Sequence, residues 1–151
     1  MPEQIRVPKP GTVLAFDFGL QRIGVAVGER ELGTAHALPV IRAQTQAGKL
    51  TAIARLVQEW QPSLLLVGRP LGEDGAAHEM TRRAERFARQ LGARFRLAIE
   101  LADERYSSVE VESRMRAAYG ARRTANLARG KALDSHAAQI ILEQYLDGKA
   151  A

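Results

Sequence analysis

The stretch "LAFDFGLQRIGVAVGE" (Leu14–Glu29) decides the fold. It holds most of two β-prone runs, Val13–Phe16 and Ile23–Val27, joined by a turn around Gly19, and this pattern predicts an antiparallel hairpin. The first run ends in a carboxylate, Asp17. Because a charge at the end of a buried strand loses hydration, it needs a basic partner, a backbone cap or a metal ion to compensate it. Asp17 is therefore the first candidate for a functional residue.

The composition predicts one globular domain with a basic balance. The 151 residues are 46% hydrophobic and 26% charged, which is ordinary for a chain that can bury its own core. The absence of Cys excludes disulfides and thiolate metal sites. The excess of 22 Lys and Arg over 17 Asp and Glu favours polyanionic partners, although codon bias would produce the same excess.

The hydropathy pattern does not predict a membrane protein. No apolar run reaches the ~20 residues that a membrane span needs, and the N-terminus lacks the apolar core of a signal peptide. We therefore expect a cytoplasmic protein with no membrane partner. We also expect residues 1–12 to form a disordered lead-in and residues 13–148 to form a single domain.

The periodicity beyond the hairpin predicts that strands and helices alternate. Pro39 indicates an edge position for the third strand, and Gly92 is expected to cap the second helix. An antiparallel ribbon followed by strand–helix alternation predicts an α/β protein with a mixed sheet and helices on both faces. The expected strands are Val13–Phe16, Ile23–Val27, Ala37–Ile41, Pro62–Gly68 and Phe95–Leu101; the expected helices are Lys49–Trp60, Glu79–Gly92, 107–119 and 133–148.

Acidic residues fall where an α/β sheet gathers functional groups, at the carboxyl ends of strands. Asp17 follows the first strand, Asp103 and Glu104 follow the predicted strand Phe95–Leu101, and Asp134 opens the last helix. The alternative to a functional role is structural. Asp134 would then cap the last helix, and Asp103 and Glu104 would lie in a solvated turn. Converging carboxylates without Cys suit hard cations, which makes Mg²⁺ or Mn²⁺ the expected cofactor. Two such ions about 4 Å apart can promote displacement at a phosphodiester.

Basic residues are expected to bind the phosphates of a nucleic acid. Arg22 lies just past Asp17, where it could contact a scissile phosphate or pair with an acid of the site. The Gly-rich stretch Arg69–Glu79 could cradle a phosphate, but it lacks the ending of a nucleotide-binding P-loop. A longer run without acidic residues would act as a phosphate-binding loop or simply as a solvated basic surface. Its basic residues are Arg114, Arg116, Arg122, Arg123, Arg129 and Lys131.

Four blocks together resemble the YqgF family, also called RuvX, whose members are Holliday-junction-resolvase-like proteins with the RNase H-like fold. The blocks are "FDFGLQRIGVA", "LLLVGRPLGEDG", "ADERYSS" and "LDSHAAQIILEQYL", and the resemblance spans about Val13 to Leu146. The first block alone also resembles the phosphate loop of actin-like ATPases. Four blocks in this order are far more specific.

The resemblance implies a metal-dependent nuclease of structured nucleic acid. The usual family role is processing of the 5′ end of pre-16S ribosomal RNA, while some members are discussed as resolvases of branched DNA. Carried over by position, the catalytic acids are Asp17, Glu104 and Asp134, with Asp103 as an alternative metal ligand. The chain departs from the family in Tyr106-Ser107, where Leu-Thr is common, and in Arg69. Arg69 replaces an apolar residue and adds a cation near the presumed active face.

Two other function classes stay open at this point. An actin-like ATPase would need a second domain of related fold to close its nucleotide cleft, which 151 residues do not supply. A non-catalytic RNA-binding assembly factor on a nuclease fold would keep the same acids and arginines. Two facing active sites would suit a four-way junction, so a homodimer is a further expectation, although no dimer surface is evident in the sequence.

Overall fold

The computed structural model describes residues 11–70, 78–104 and 132–150, and these form one five-stranded sheet flanked by helices. The strands lie in the order β3-β2-β1-β4-β5. The pairs β1–β2 and β2–β3 are antiparallel, and β1–β4 and β4–β5 are parallel, which confirms the predicted mixed sheet. The elements are β1 (Thr12–Asp17), β2 (Arg22–Glu29), β3 (Thr34–Arg42), α1 (Gln46–Trp60), β4 (Leu64–Pro70), α2 (Glu79–Phe95), β5 (Ala98–Glu104) and α3 (Ala132–Ala150).

The alternating side chains of β1 divide the interior into two layers. Leu14 and Phe16 pack on the face covered by α1 and α2, where the Phe16 and Phe87 rings meet edge to face with centroids 6.2 Å apart. Val13 and Ala15 pack on the opposite face, which α3 covers. Successive residues of a strand point to opposite faces, so the central part of this strand, Val13–Phe16, is apolar on both sides. Helices therefore lie on both faces, as the sequence predicted.

Strand β4 is buried in the same way, which confirms the expectation from its continuous apolar run. Leu65 and Val67 belong to the layer under α1 and α2, and Leu64 and Leu66 belong to the layer under α3. All four side chains are at most 2% exposed. A strand with parallel neighbours and two covered faces has this composition because it has no solvent-facing side.

Strand β3 lies at one edge of the sheet, as Pro39 indicated. Its pairing with β2 shifts between Ile23, opposite Ile41, and Val25, opposite Leu38. Pro39 and Val40 therefore face a single residue of β2, which is the geometry of a β-bulge. A bulge at an edge tolerates proline because proline has no N–H to give to the ladder.

The second helix and the fifth strand both end later than predicted. Helix α2 continues through Gly92 to Phe95, and it ends at Arg96, which adopts a left-handed conformation and donates its N–H to the Gly92 carbonyl at 2.9 Å. The predicted strand Phe95–Leu101 is therefore wrong at both ends, because the strand runs from Ala98 to Glu104. Glycine is the usual residue in the left-handed position that ends a helix. A helix that has arginine in this position is therefore not predicted from the position of its glycines.

Some expectations fall on residues outside the described ranges. These include the helix 107–119 and most of the lead-in at residues 1–12, of which Thr12 already belongs to β1. Helix α1 begins at Gln46, three residues before the predicted start. None of the helices in the described ranges has the length and apolar character to cross a membrane.

Gly28 of β2 lies against α3, and a substitution there tests how tightly its surroundings are packed. A Cβ at Gly28 would lie 2.9 Å from Leu142 and 3.3 Å from Leu146, and it would also meet the Thr34 carbonyl oxygen. We expect Gly28→Ala to lower the free energy of unfolding by about 1–3 kcal/mol through overpacking. Urea unfolding monitored by circular dichroism measures this change.

The matched control is the same substitution at Gly148 in α3, where an added Cβ meets nothing within 4 Å. Because alanine favours the helix over glycine, Gly148→Ala should leave stability unchanged or raise it by up to about 1 kcal/mol. Equal effects of the two substitutions would contradict the tight packing around Gly28, to which both α3 and the backbone of β3 contribute.

Candidate active site

The carboxyl ends of the three parallel strands meet at one edge of the sheet. Asp17, the last residue of β1, lies opposite Gly68 of β4. On the far side of β4, Arg69 lies opposite Asp103 and Pro70 lies opposite Glu104. The predicted acids of β1 and β5 are thus at the same end of the sheet, with one strand between them. Asp103 and Glu104 are the last two residues of β5 rather than part of a turn after it.

Helix α3 begins at this same end of the sheet. The Ser135 hydroxyl, in its first turn, donates to the Leu38 carbonyl at 2.6 Å, and Ser135 is only 4% exposed. Leu38 lies opposite Val25, which lies opposite Phe16, the neighbour of Asp17. The backbone of the first turn of α3, which includes position 134, is therefore held near the level of Asp17.

Asp103, the first of the two neighbouring acids of β5, is paired with an arginine. The Asp103 carboxylate accepts two hydrogen bonds from Arg69, at 3.0 Å and 2.8 Å. Arg69 also donates to Glu85 of α2 at 3.0 Å. The hydrogen bonds to Asp103 and then Glu85 raise the pKa of the Arg69 guanidinium. Arg69 therefore links β4, β5 and α2, a role that the sequence did not predict.

The turn after Asp17 is fixed by a lysine from α1. Lys49 is 7% exposed, and its ammonium donates to the Leu20 carbonyl at 2.6 Å. The same ammonium lies 5.5 Å from the centre of the Phe18 ring, which in turn stacks on Phe87 with centroids 4.8 Å apart. These contacts hold the turn that follows Asp17 against α1 and α2. The sequence marked Lys49 only as the start of an amphipathic helix.

Gly19 allows the turn to fold back on itself. A Cβ at Gly19 would lie 2.5 Å from the Arg22 carbonyl oxygen, so a side chain would force the turn open. A concavity of about 370 Å³ lies along this turn, and both Asp17 and Arg22 line it. Arg22 is exposed, and its expected contact with nucleic acid stays a prediction.

Other predicted site residues lie partly or wholly outside the described ranges. The side chains of Glu104 and Asp134 are outside them, as are all the basic residues of the run Arg114–Lys131. Among the described side chains, no group of three acids or histidines could hold a metal ion. The predicted roles of these residues, and of Asp103 as a metal ligand and Arg69 as a nucleic-acid contact, stay predictions.

His136 lies beside this end of the sheet, in the first turns of α3. Burial lowers the pKa of its imidazole, and the nearby charge of Glu143 opposes that shift. A half-buried imidazole next to Ser135 is consistent with a packing residue of the helix.

We expect Lys49→Met to loosen the turn that follows Asp17. Methionine retains the apolar stem but loses the charged hydrogen bond to Leu20, so local opening should become easier by about 1–2 kcal/mol. Amide hydrogen exchange by NMR at residues 18–22 measures this change. Arg55→Met, on an exposed position of the same helix, should leave those exchange rates unaltered. Unchanged exchange in Lys49→Met would contradict the role of the lysine.

Comparison with known proteins gives close relatives over nearly the whole chain. The sequence model of the RuvX family, described as Holliday junction resolvase, matches residues 11–148. A protein of Burkholderia mallei (strain SAVP1) is 47% identical over 143 residues, covering 93% of this chain and 90% of its own length. A protein of Nitrosospira multiformis is 46% identical over 150 residues, covering 99% and 96%. Both are named "Putative pre-16S rRNA nuclease".

Solved structures share the fold at low sequence identity. RuvC of T. thermophilus, in complex with a Holliday junction substrate, matches with a TM-score of 0.52 and 11% identity over 93% of this chain and 96% of its own. The resolvase of fowlpox virus, in complex with Holliday junction DNA, matches with a TM-score of 0.55 and 11% identity over 93% and 99%. These matches confirm the RNase H-like fold. Because the family model and the relatives both span nearly its whole length, the chain belongs to the RuvX family.

Proposed function

We propose that this chain is a nuclease that hydrolyses phosphodiester bonds of structured nucleic acid with the help of Mg²⁺ or Mn²⁺. The observation that carries the proposal is Asp17, a carboxylate at the end of the central buried strand. The carboxyl end of β5 and the first turn of α3 lie at the same end of the sheet. Family membership and the names of the relatives support the same activity.

We assign the metal to Asp17, Glu104 and Asp134. Oxygen ligands from three separate elements suit a hard divalent cation, and the chain has no Cys to favour a softer one. Bound there, a pair of such ions would stabilise the charge on the attacking and leaving oxygens of the displacement. The protein would supply these negatively charged ligands from the ends of strands and the start of a helix, rather than from loops.

We favour Glu104 over Asp103 as the ligand from β5. Asp103 is already paired with Arg69, on the side of the sheet where Glu85 of α2 lies. Ala102 instead packs in the layer under α3. Because residues alternate between the two faces of a strand, position 104 shares the face of Ala102. Val13 and Ala15 of β1 lie on this same face. Because side chains alternate along β1 as well, Asp17 also lies on the face that α3 covers.

We further propose precursor 16S ribosomal RNA, at its 5′ end, as the substrate. The relatives named for this RNA share 46–47% of the sequence over nearly the full chain. The resolvases bound to Holliday junctions share 11%, which supports a common fold and no more. This substrate would place the protein in the cytoplasm. Branched DNA, with the homodimer that a four-way junction would favour, is the alternative that the experiment must include.

The first test is a cleavage assay on a labelled RNA spanning the 5′ end of precursor 16S rRNA, beside a four-way DNA junction. We expect the wild type to cut the RNA with Mg²⁺ or Mn²⁺ and to stop when EDTA removes the metal. Asp17→Asn should reduce cleavage by more than about 100-fold, because the loss of a metal ligand removes several kcal/mol of charge stabilisation. Binding of the RNA should survive this substitution.

Asp103→Asn is the matched control, since it removes the same charge at the same end of the sheet. Its ion pair with Arg69 is partly exposed, so the substitution should change stability by at most about 1 kcal/mol and retain cleavage. Loss of cleavage in Asp103→Asn would move the ligand from Glu104 to Asp103. Cleavage retained in Asp17→Asn would overturn the proposed metal site, and metal-independent binding without cleavage would favour an assembly factor.

A further inference from the structure

Two arginines face each other across the antiparallel strands beside the candidate active site. Arg22, the first residue of β2, lies directly opposite Arg42, the last residue of β3, and both are exposed. Arginine keeps its charge at every physiological pH. Like charges directly opposite each other on neighbouring strands destabilise a sheet. The fold therefore brings two positively charged residues together at this position, on the strand that neighbours β1 and on the edge strand.

The two arginines line a concavity of about 440 Å³. The other residues that line it are Gln21, Ala43 and Gln44. Guanidinium groups can bind phosphate through two parallel hydrogen bonds, and a carboxamide adds a further N–H donor. This lining is that of an anion site rather than of an apolar ligand pocket.

The start of α1 adds positive potential at the same place. The helix begins at Gln46, two residues after Gln44, and it has no acidic residue in its first turn. The N-terminal end of a helix carries a partial positive charge. Lys49, in this first turn, sends its ammonium to the carbonyl of Leu20 in the turn after Asp17. Helix and side chains together make this end of the sheet attractive to a polyanion.

The concavity continues toward Asp17. The smaller concavity along the turn after β1, which Asp17 lines, shares Gln21 and Arg22 with it. Strands β1 and β3 are separated by β2 alone, so the two ends of this path are roughly 10 Å apart across the sheet. That separation allows one strand of nucleic acid to contact both places through different phosphates.

We propose that Arg22 and Arg42, with Gln21 and Gln44, form a subsite for a backbone phosphate of the nucleic acid, outside the scissile bond. This assigns a binding role to Arg42 and to the two glutamines. It rests on the proposed function only in that the ligand is a nucleic acid. The subsite would hold the strand that enters over β2 and β3, while Asp17 lies at the other end of the path.

The test is the salt dependence of binding, measured with EDTA present so that no cleavage occurs. The probe is the labelled RNA that spans the 5′ end of precursor 16S rRNA, and the affinity is measured between about 50 and 200 mM salt. Each phosphate contact contributes about 0.7–0.9 to the slope of log affinity against log salt. We expect Arg42→Gln to reduce the slope by about this amount and to weaken low-salt binding about tenfold. The double variant Arg22→Gln/Arg42→Gln should reduce the slope about twice as much.

Arg55→Gln is the matched control, because it removes the same charge from an exposed position on α1. Its slope should equal that of the wild type. Since Arg42→Gln relieves a like-charge contact, its melting temperature should not fall, which separates lost binding from unfolding. Equal slopes for Arg42→Gln and Arg55→Gln, or no RNA binding at all, would overturn the subsite.

The two proposals fail in different ways. If the wild type cuts RNA with metal but Arg42→Gln keeps the full slope, the subsite is wrong and the nuclease stands. If no substrate is cut while the slope falls as expected, the subsite stands on a protein that only binds nucleic acid.

Discussion

The pairing of β1 between an antiparallel and a parallel neighbour is the constraint on which the rest of the molecule depends. With β2 on one side and β4 on the other, the backbone of β1 lies inside the sheet, and two helical layers cover its side chains. A polar side chain without a hydrogen-bond partner is costly along such a strand. Asp17 stands where this enclosure ends, so the geometry that forces β1 to be apolar also fixes the position of its carboxylate.

Much of this arrangement could be predicted from local sequence, because the hydrophobic pattern of each segment matches the burial of that segment in the fold. The apolar runs of β1 and β4, the turn at Gly19 and the proline of β3 each indicated the correct element and its place in the sheet. The fold class could be predicted for that reason. The position of Asp17 at the end of β1 could be predicted as well, because the apolar run stops directly before it.

The features that could not be predicted from the sequence depend on contacts between distant segments. Helix α2 ends at Arg96, which adopts a left-handed conformation. The conformational preference of arginine does not predict a helix end at this position. The partnership of Arg69 with Asp103 and Glu85 brings together residues from three elements. Lys49 likewise reaches a carbonyl 29 positions away in the chain. These interactions depend on tertiary geometry, which the periodicity of one segment does not encode.

Strand β3 shows a last consequence of how α3 lies on the sheet. Two side chains of α3, Ser135 and Gln139, donate hydrogen bonds to the carbonyls of Leu38 and Ala35. Pro39 lacks an N–H, and the bulge at this point breaks the regular spacing of the strand. An edge with these features is a poor template for recruiting a strand from another molecule. The chain is therefore guarded at this edge against strand addition, and two copies of the chain would not be expected to assemble by extending the sheet through β3.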